Sequence, residues 1–213
     1  MRISSLCRGI VGACLSVGAL FAVAPTLMAL GNPLFENAVE SRNFETGLRL
    51  LIPKQWLVTE PVVKETLRGP KARYLFIYPR AEKGSRIGSS ISVYISTIEG
   101  VFDIPARLRT KLSDADLVNF YIDRLARTAN AFKVLSVRRG KDLGLPSLVL
   151  EYKSRAYDHY DEYTTDRFVF NGDSVYRITS SYIASRQESK AVLEDMVSEM
   201  RLLTDSEKRY IPQ

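Results

Sequence analysis

Cysteine is nearly absent from this chain, and what there is lies close to its start. The 213 residues contain two cysteines, Cys7 and Cys14, and both fall within the first 29 residues. If that leading segment is removed, the remaining chain has no thiol. Thiolate catalysis, zinc–thiolate sites and disulfide bonds are then excluded. The remaining residues, about 184, suffice for one domain that is stabilised by its own hydrophobic core.

Histidine is scarcer still, and the excess of positive charge is small. His159 is the only histidine, so any catalytic group that needs an imidazole must use this one. The chain has 30 basic and 24 acidic residues, for a net charge of +6. The first 29 residues hold two of the basic residues and none of the acidic ones, so the net charge without them is +4. A charge of this size does not call for a nucleic-acid partner.

Charge is missing altogether between Gly9 and Leu30, and this run defines the leading segment. Arginines before the run, its apolar centre and the small residues at its end are the three parts of an export signal. The sequence therefore predicts a signal peptide at 1–29 with cleavage after Ala29, since an earlier cut would place Pro25 directly after it. We expect an exported, periplasmic protein. The alternative is an uncleaved anchor in the inner membrane, because a run of this length can cross a bilayer.

The rest of the sequence predicts an α+β fold, in which an antiparallel β-sheet is flanked by helices. Alternation of apolar and polar residues predicts strands at 72–79, 89–97, 132–139, 146–157, 163–170 and 174–183, with two short strands around Pro53 within 44–58. We expect residues 30–41 to form an extended lead-in, 42–204 to form a single domain and 205–213 to form a C-terminal tail.

Two helices are predicted from apolar residues at helical spacing and from capping residues at their starts. The first spans 113–131, where Ser113 and Asp116 form an approximate capping box. The second spans 185–203, where Ser185 and Glu188 have the S-x-x-E spacing of a capping box. The apolar stripe on the second helix predicts that it packs against the sheet.

Three segments together resemble the PsbP-like superfamily, which contains PsbP, the Ran-binding Mog protein and DcrB-type exported bacterial proteins. The segments are "GLRLLIPKQW" (47–56), "GLPSLVLEY" (144–152) and "FNGDSVYRITSSY" (170–182). The helix that follows ends in "MRLLTD" (200–205), where many relatives have a serine–aromatic pair. The resemblance implies an α/β/α sandwich, no shared enzymatic activity and members that bind proteins or help to assemble membrane complexes. It supplies no binding residues for this chain.

The segment "YDHYDEY" (157–163) is the one candidate for a metal or acid/base site. It lies between two predicted strands, so we interpret it as the polar tip of a hairpin. A metal site would need His159 with carboxylates such as Asp161 and Glu162 around one ion, and such ligands would suit manganese, calcium or zinc. We expect no metal and no cofactor. A small hydrolase or metal-dependent enzyme centred on His159 remains the alternative.

Catalytic motifs are otherwise lacking in the sequence. "GSSIS" (88–92) does not have the second glycine of a nucleophile elbow, and "RGKDLG" (139–144) does not have the spacing of a phosphate-binding loop. We therefore identify no catalytic residues. The favoured function is a non-enzymatic binding or assembly factor for an envelope or membrane protein complex.

Basic residues recur in several segments that are predicted to be loops or strand ends. If they met at one end of the sheet, they would attract an acidic protein or anionic lipid headgroups, so peripheral membrane contact is also open. The clusters are Arg68, Lys71 and Arg73; Arg80, Lys83 and Arg86; Arg107, Arg109 and Lys111; and Arg138, Arg139 and Lys141.

Overall fold

A computed structural model describes residues 32–59, 62–66, 69–83, 88–156 and 159–208. The predicted signal peptide, with Cys7 and Cys14, lies outside the described residues, as do Arg68, Arg86 and the end of the predicted tail. None of the helices in the described ranges combines the length and apolar composition needed to cross a membrane.

Antiparallel strands form two sheets in the described part of the chain. The small sheet contains β1 (Val39–Asn43), β2 (Leu48–Ile52) and β11 (Arg201–Leu202), with β2 in the middle. The large sheet contains β3 (Trp56–Val58), β4 (Val62–Thr66), β5 (Gly69–Pro79), β6 (Ser90–Thr97), β7 (Lys133–Asp142), β8 (Leu145–Ala156), β9 (Tyr160–Asn171) and β10 (Ser174–Ile183). Its order is β3–β5–β6–β10–β9–β8–β7, and β4 pairs with β5. The predicted α+β fold with antiparallel strands is confirmed.

Five helices lie between or after these strands in the described ranges. They are α1 (Ile98–Phe102), α2 (Ala106–Arg109), α3 (Asp114–Thr128), α4 (Ser189–Ser198) and α5 (Asp205–Lys208). The cap of α3 is as predicted: the Ser113 side chain accepts a hydrogen bond from the Asp116 backbone N–H, and the Asp116 carboxylate accepts one from the Ser113 backbone N–H.

The large sheet carries a separate hydrophobic core on each of its two faces. On the α3 face, α1 and α3 cover Leu150 and Phe168. On the α4 face, α4 and the small sheet cover Val93 and Ile178. Successive residues of a strand alternate between the two faces. This order of layers, helices on one side and a helix with a small sheet on the other, is the predicted sandwich.

The C-terminal helix is shorter than the sequence predicts. It begins at Ser189 and ends at Ser198, and Ser185 lies in a 3₁₀ turn before it. The residue at its N-cap is Glu188, whose side chain makes no capping hydrogen bond, so the predicted capping box is wrong. The apolar stripe continues past the helix because Leu203 is buried beside β11 rather than on a further helical turn.

Candidate functional site

The connection between the two strands of the predicted hairpin is shorter in the structure than the sequence suggests. β8 ends at Ala156 and β9 begins at Tyr160, so the connection is three residues long, and Tyr157 and Asp158 lie outside the described residues. His159 is exposed, and its backbone N–H donates to the Ala156 carbonyl over 3.2 Å. An open groove of about 530 Å³ runs beside the tip, lined by Arg155, His159, Tyr160, Asp161, Ile183, Ala184 and Ser185.

The two carboxylates of this segment point in opposite directions because both belong to β9. Asp161 lies on the α4 face, where its Oδ2 is 2.7 Å from Lys153 Nζ, and this contact holds the pKa of Asp161 below its ordinary value. Glu162 lies half-buried on the opposite face, where burial raises its pKa despite a hydrogen bond with Ser181. The structure therefore does not bring Asp161 and Glu162 together around His159.

No group of three or more histidine, cysteine or acidic side chains could hold a metal ion within the described ranges. The hairpin-tip interpretation agrees with the pairing of Asp161 to Lys153. That the segment binds no metal stays a prediction.

A buried polar cluster lies under α3, and sequence reasoning did not identify it. Asp166 of β9 is fully buried, with 0 % of its surface exposed. Its carboxylate accepts hydrogen bonds from the Tyr121 hydroxyl over 3.0 Å and from the Thr179 hydroxyl. Arg177 of β10 donates from Nη1 to the same Tyr121 hydroxyl over 3.2 Å. One helix and two strands are thus joined through a single carboxylate.

Aromatic rings surround the guanidinium of this cluster. Its carbon lies 5.2 Å from the centre of the Tyr94 ring and 5.7 Å from that of Tyr121, distances at which cation–π attraction operates. Burial alone would lower the pKa of Arg177, but Tyr121 and Asp166 beside it hold that pKa above its ordinary value. Burial and the Asp166 carboxylate likewise raise the pKa of the Tyr121 hydroxyl. The cluster therefore keeps a positive guanidinium beside a neutral phenol.

A second buried cluster lies on the α4 face around Arg167. This side chain is 3 % exposed, and its guanidinium binds the carboxylates of Asp142, at 3.4 Å, and Glu194. It also donates to the Ser180 hydroxyl over 3.2 Å. A cavity of about 350 Å³ opens next to it, lined by Lys141, Asp142, Leu143, Gly144, Arg167, Glu194, Val197, Ser198 and Arg201. The two carboxylates tie α4 and the end of β7 to the middle of the sheet.

A third cluster joins the segment before α4 to the 3₁₀ turn that follows β5. The buried carboxylate of Glu82 accepts hydrogen bonds from the Ser89 backbone N–H over 2.8 Å and from Arg186. A Cβ at Gly88 would collide with the Glu82 carboxylate, so a side chain there would force that carboxylate to move. The Ser89 hydroxyl continues the contact to Ser189 over 2.7 Å. In all three clusters the buried carboxylate or guanidinium that joins the elements, namely Asp166, Arg167 or Glu82, is bound by groups of the protein itself.

The edge strand β7 is a candidate surface for contact with another molecule. It is ten residues long and pairs with β8 alone in the described part of the chain. Leu135 and Val137 are 47 % and 48 % exposed on it. Its exposed basic residues are Lys133, Arg138, Arg139 and Lys141. Large exposed apolar side chains inside a charged surround are typical of an interaction surface.

A second basic cluster of the sequence precedes α3, and the start of α3 faces Arg139 of β7. A groove of about 470 Å³ separates the start of α3 from Arg139, and it is lined by Ser113, Asp114, Ala115, Arg139, Pro146, Ser147, Leu148 and Phe170. The segment that carries Arg107, Arg109 and Lys111 leads directly into Ser113.

The basic residues of β7 can be recognised in the sequence, whereas the buried polar clusters are much harder to recognise there. Arg138, Arg139 and Lys141 are visible as a basic cluster in the sequence. The pairing of Asp166 with Tyr121, in contrast, depends on a helix and a strand that are 45 positions apart. Two adjacent charged residues directly before the apolar end of a strand, Asp166 and Arg167 before 168–170, are the signal that could have indicated both buried clusters.

Comparison with known proteins identifies structures with a similar fold. The sequence matches no protein-family model and no curated protein. Its structure is similar to that of cyanobacterial PsbP from Synechocystis, with a TM-score of 0.52 and 15 % sequence identity over 87 % of this chain and 99 % of that one. It is also similar to LpqN of Mycobacterium tuberculosis, described as involved in cell envelope biogenesis, with a TM-score of 0.50 and 12 % identity over 81 % and 86 % of the two chains.

A third similar structure is the Ran-binding protein Mog1p of Saccharomyces cerevisiae. Its TM-score is 0.50 and its identity 11 %, over 80 % of this chain and 97 % of that one. These identities are low, so the likeness concerns the arrangement of the backbone. PsbP, LpqN and Mog1p share one fold, and this chain has that PsbP-like fold. The resemblance that the sequence motifs indicated is therefore confirmed.

Proposed function

We propose that this chain is an exported, non-enzymatic factor that binds a protein of the cell envelope. The observation that carries the proposal is the open edge of β7, which presents Leu135 and Val137 between basic side chains. Complete burial of a fully exposed side chain of this size contributes about 1.5–3 kcal/mol. Leu135 and Val137 are 47 % and 48 % exposed, so a partner that covered them would add about half of that for each. A surface of this kind favours contact with another protein.

The buried polar clusters support a binding role over a catalytic one. Asp166, Arg167 and Glu82 each use their hydrogen bonds to join strands to helices or to loops. A catalytic carboxylate instead needs access to a substrate within hydrogen-bond reach. The geometry of these groups is therefore that of structural supports.

Similar proteins support the same class of function by analogy. Mog1p is described as Ran-binding and LpqN as involved in cell envelope biogenesis. A shared fold does not by itself fix function, so these descriptions only make a binding role in the envelope the natural first choice. The uncharged segment from Gly9 to Leu30 supports export to the periplasm, with retention in the inner membrane as the alternative.

Co-purification from chemically crosslinked cells tests the proposal. The tagged full-length chain should recover one envelope protein in a fixed ratio. Replacing Leu135 and Val137 by glutamate should reduce the recovery at least tenfold. Val39→Glu is the matched control, because Val39 is 65 % exposed on the small sheet and lies away from β7. Recovery that is the same for all three proteins, or no partner at all, would contradict the proposal.

A further inference from the structure

We propose that the outer edge of β7 binds an extended acidic segment of a partner protein, which joins the large sheet as an additional strand. The inference rests on the proposed function and names the chemistry of the partner. Strand addition of this kind uses backbone hydrogen bonds for affinity and alternate side chains for specificity.

The backbone of β7 is suited to receive another strand. A bulge between Val134 and Ser136 interrupts the pairing with β8 near the start of the strand. After the bulge, residues 136–142 pair without interruption with 145–151. An edge strand of this length presents a row of N–H and C=O groups on its outer side, and these can pair with a second strand.

The charge of β7 selects an acidic partner. Asp142 is the only acidic residue of the strand, and it turns inward to Arg167 and Ser147. Arg138 lies 3.5 Å from Glu151, which is a weak exposed contact. In the described part of the chain, no ion pair is made by Lys133, Arg139 or Lys141. Most of the positive charge along the edge is therefore open to a partner's carboxylates.

The same charge disfavours two other occupants. A second copy of β7 would bring arginine and lysine side chains opposite one another, and like charges at facing positions destabilise a strand pair. A flat anionic membrane would contact one face at a time. Here Arg139 lies on the α3 face and Arg138 on the α4 face. A strand that runs along the edge meets both faces at once.

The basic residues of β7 set the pattern of the partner strand. Val137, Arg139 and Lys141 share the α3 face after the bulge, and Ser136, Arg138 and Gly140 share the other. A segment that alternates acidic with β-branched residues would set carboxylates beside Arg139 and Lys141. Its apolar side chains would then lie on the α4 face.

The probe for this inference is an acetylated, fluorescein-labelled decapeptide of alternating glutamate and valine. We expect it to bind the purified protein in a salt-dependent manner and to slow hydrogen exchange of amides within 136–142. Reversal of charge in Arg139→Glu with Lys141→Glu should weaken binding at least tenfold. The same reversal at the opposite end of the sheet, Lys54→Glu with Lys83→Glu, should change it less than threefold, since both lysines are exposed beside β3 and β5.

A second peptide separates strand addition from simple attraction between charges. It is N-methylated at its six central residues. This keeps every carboxylate and removes the backbone N–H groups of those six residues, which strand pairing would use. We expect it not to bind. Equal binding of both peptides, or no binding of the first, would overturn the inference. Binding of phosphatidylglycerol vesicles that the charge reversal at Arg139 and Lys141 removes, without slower exchange in 136–142, would assign the edge to lipid instead. A partner recovered through Leu135 and Val137 would still leave the proposed function intact in each case.

Discussion

Single residues of this protein are explained by the faces on which the strands place them. Asp161 and Glu162 are neighbours in the sequence, and the sequence interpretation treated them as members of one polar tip. Because β9 begins at Tyr160, they lie on opposite faces, and their pKa values shift in opposite directions. The buried pairing of Asp166 with Tyr121 and Thr179 could not be predicted, because it depends on the register of β9 against β10 and on the position of α3.

Removal of the Tyr121 hydroxyl should destabilise the protein. In Tyr121→Phe, Asp166 loses one of its two hydrogen-bond donors and the Nη1 of Arg177 loses its acceptor. A buried charged group that loses a partner costs about 1–3 kcal/mol. Urea unfolding should report a loss of that size, whereas Tyr160→Phe, at an exposed tyrosine, should change stability by less than about 0.5 kcal/mol. Equal losses in the two variants would mean that the cluster contributes nothing.

The stability of Glu162→Gln relative to the parent should depend on pH. Burial raises the folded-state pKa of Glu162, so its protonated form is favoured in the folded protein. Its stabilising contribution is complete below the unfolded value of 4.5 and is lost as the pH rises through the folded pKa. We expect Tm values that are similar near pH 3.5 and a variant that is the more stable at pH 7.

Glu207→Gln is the control with the opposite sign. Hydrogen bonds from the Thr204 backbone N–H and hydroxyl lower the pKa of Glu207, so its contribution is present above 4.5 and is lost on acidification. The parent should therefore gain stability over this variant as the pH rises. Parallel curves for both variants would contradict the assignment.

The structure also sharpens the prediction for His159. Its side chain is exposed, and Asp161 is already paired with Lys153. His159→Gln should change stability by no more than about 0.5 kcal/mol, and manganese, calcium or zinc should not raise the Tm of the parent. A bound metal at a hundredfold excess over its Kd would stabilise by about 2.7 kcal/mol. A metal-dependent rise that disappears in His159→Gln would make the metal hypothesis the first choice.

The sequence predicts a helix correctly where the residues that begin it are neighbours in the chain. It predicts the ends of a helix less well where contacts with another part of the fold determine them. The capping box of α3 is set by Ser113 and Asp116, and both helix start and cap are as predicted. Ser185 and Glu188 have the same spacing, yet a 3₁₀ turn holds Ser185 outside α4. The salt bridge of Arg186 with Glu82 fixes this turn against the strand end after β5. A tertiary contact has therefore displaced a local signal.

The two serines give a direct test at the level of the helix. Ser113→Ala should destabilise the protein by about 0.5–2 kcal/mol, because loss of a capping side chain leaves a helix N–H without its acceptor. Ser185→Ala should have an effect within about 0.5 kcal/mol, since Ser185 is exposed and caps no helix. Urea unfolding of both variants measures the difference. A larger loss of stability in Ser185→Ala than in Ser113→Ala would instead favour the longer helix that the sequence predicts.

At the scale of the whole molecule, the sequence indicates the class of fold and misses one of its layers. Alternation along 132–183 predicts the meander from β7 to β10, which forms most of the large sheet. The small sheet was not predicted, because it joins β2 to β11 over about 150 positions and β11 has only two residues, Arg201 and Leu202. Pairing of this kind is set by the packing of the whole chain. The same packing leaves β7 at the edge and so defines the proposed interaction surface.

We propose that β7 is the surface through which this protein meets its partner. Incorporation of a photo-crosslinking amino acid in place of Val137 tests it in living cells, with incorporation at Val39 as the control on the small sheet. We expect a single adduct of defined mass at position 137, and none at position 39. Adducts of the same mass from both positions, or from neither, would contradict the claim.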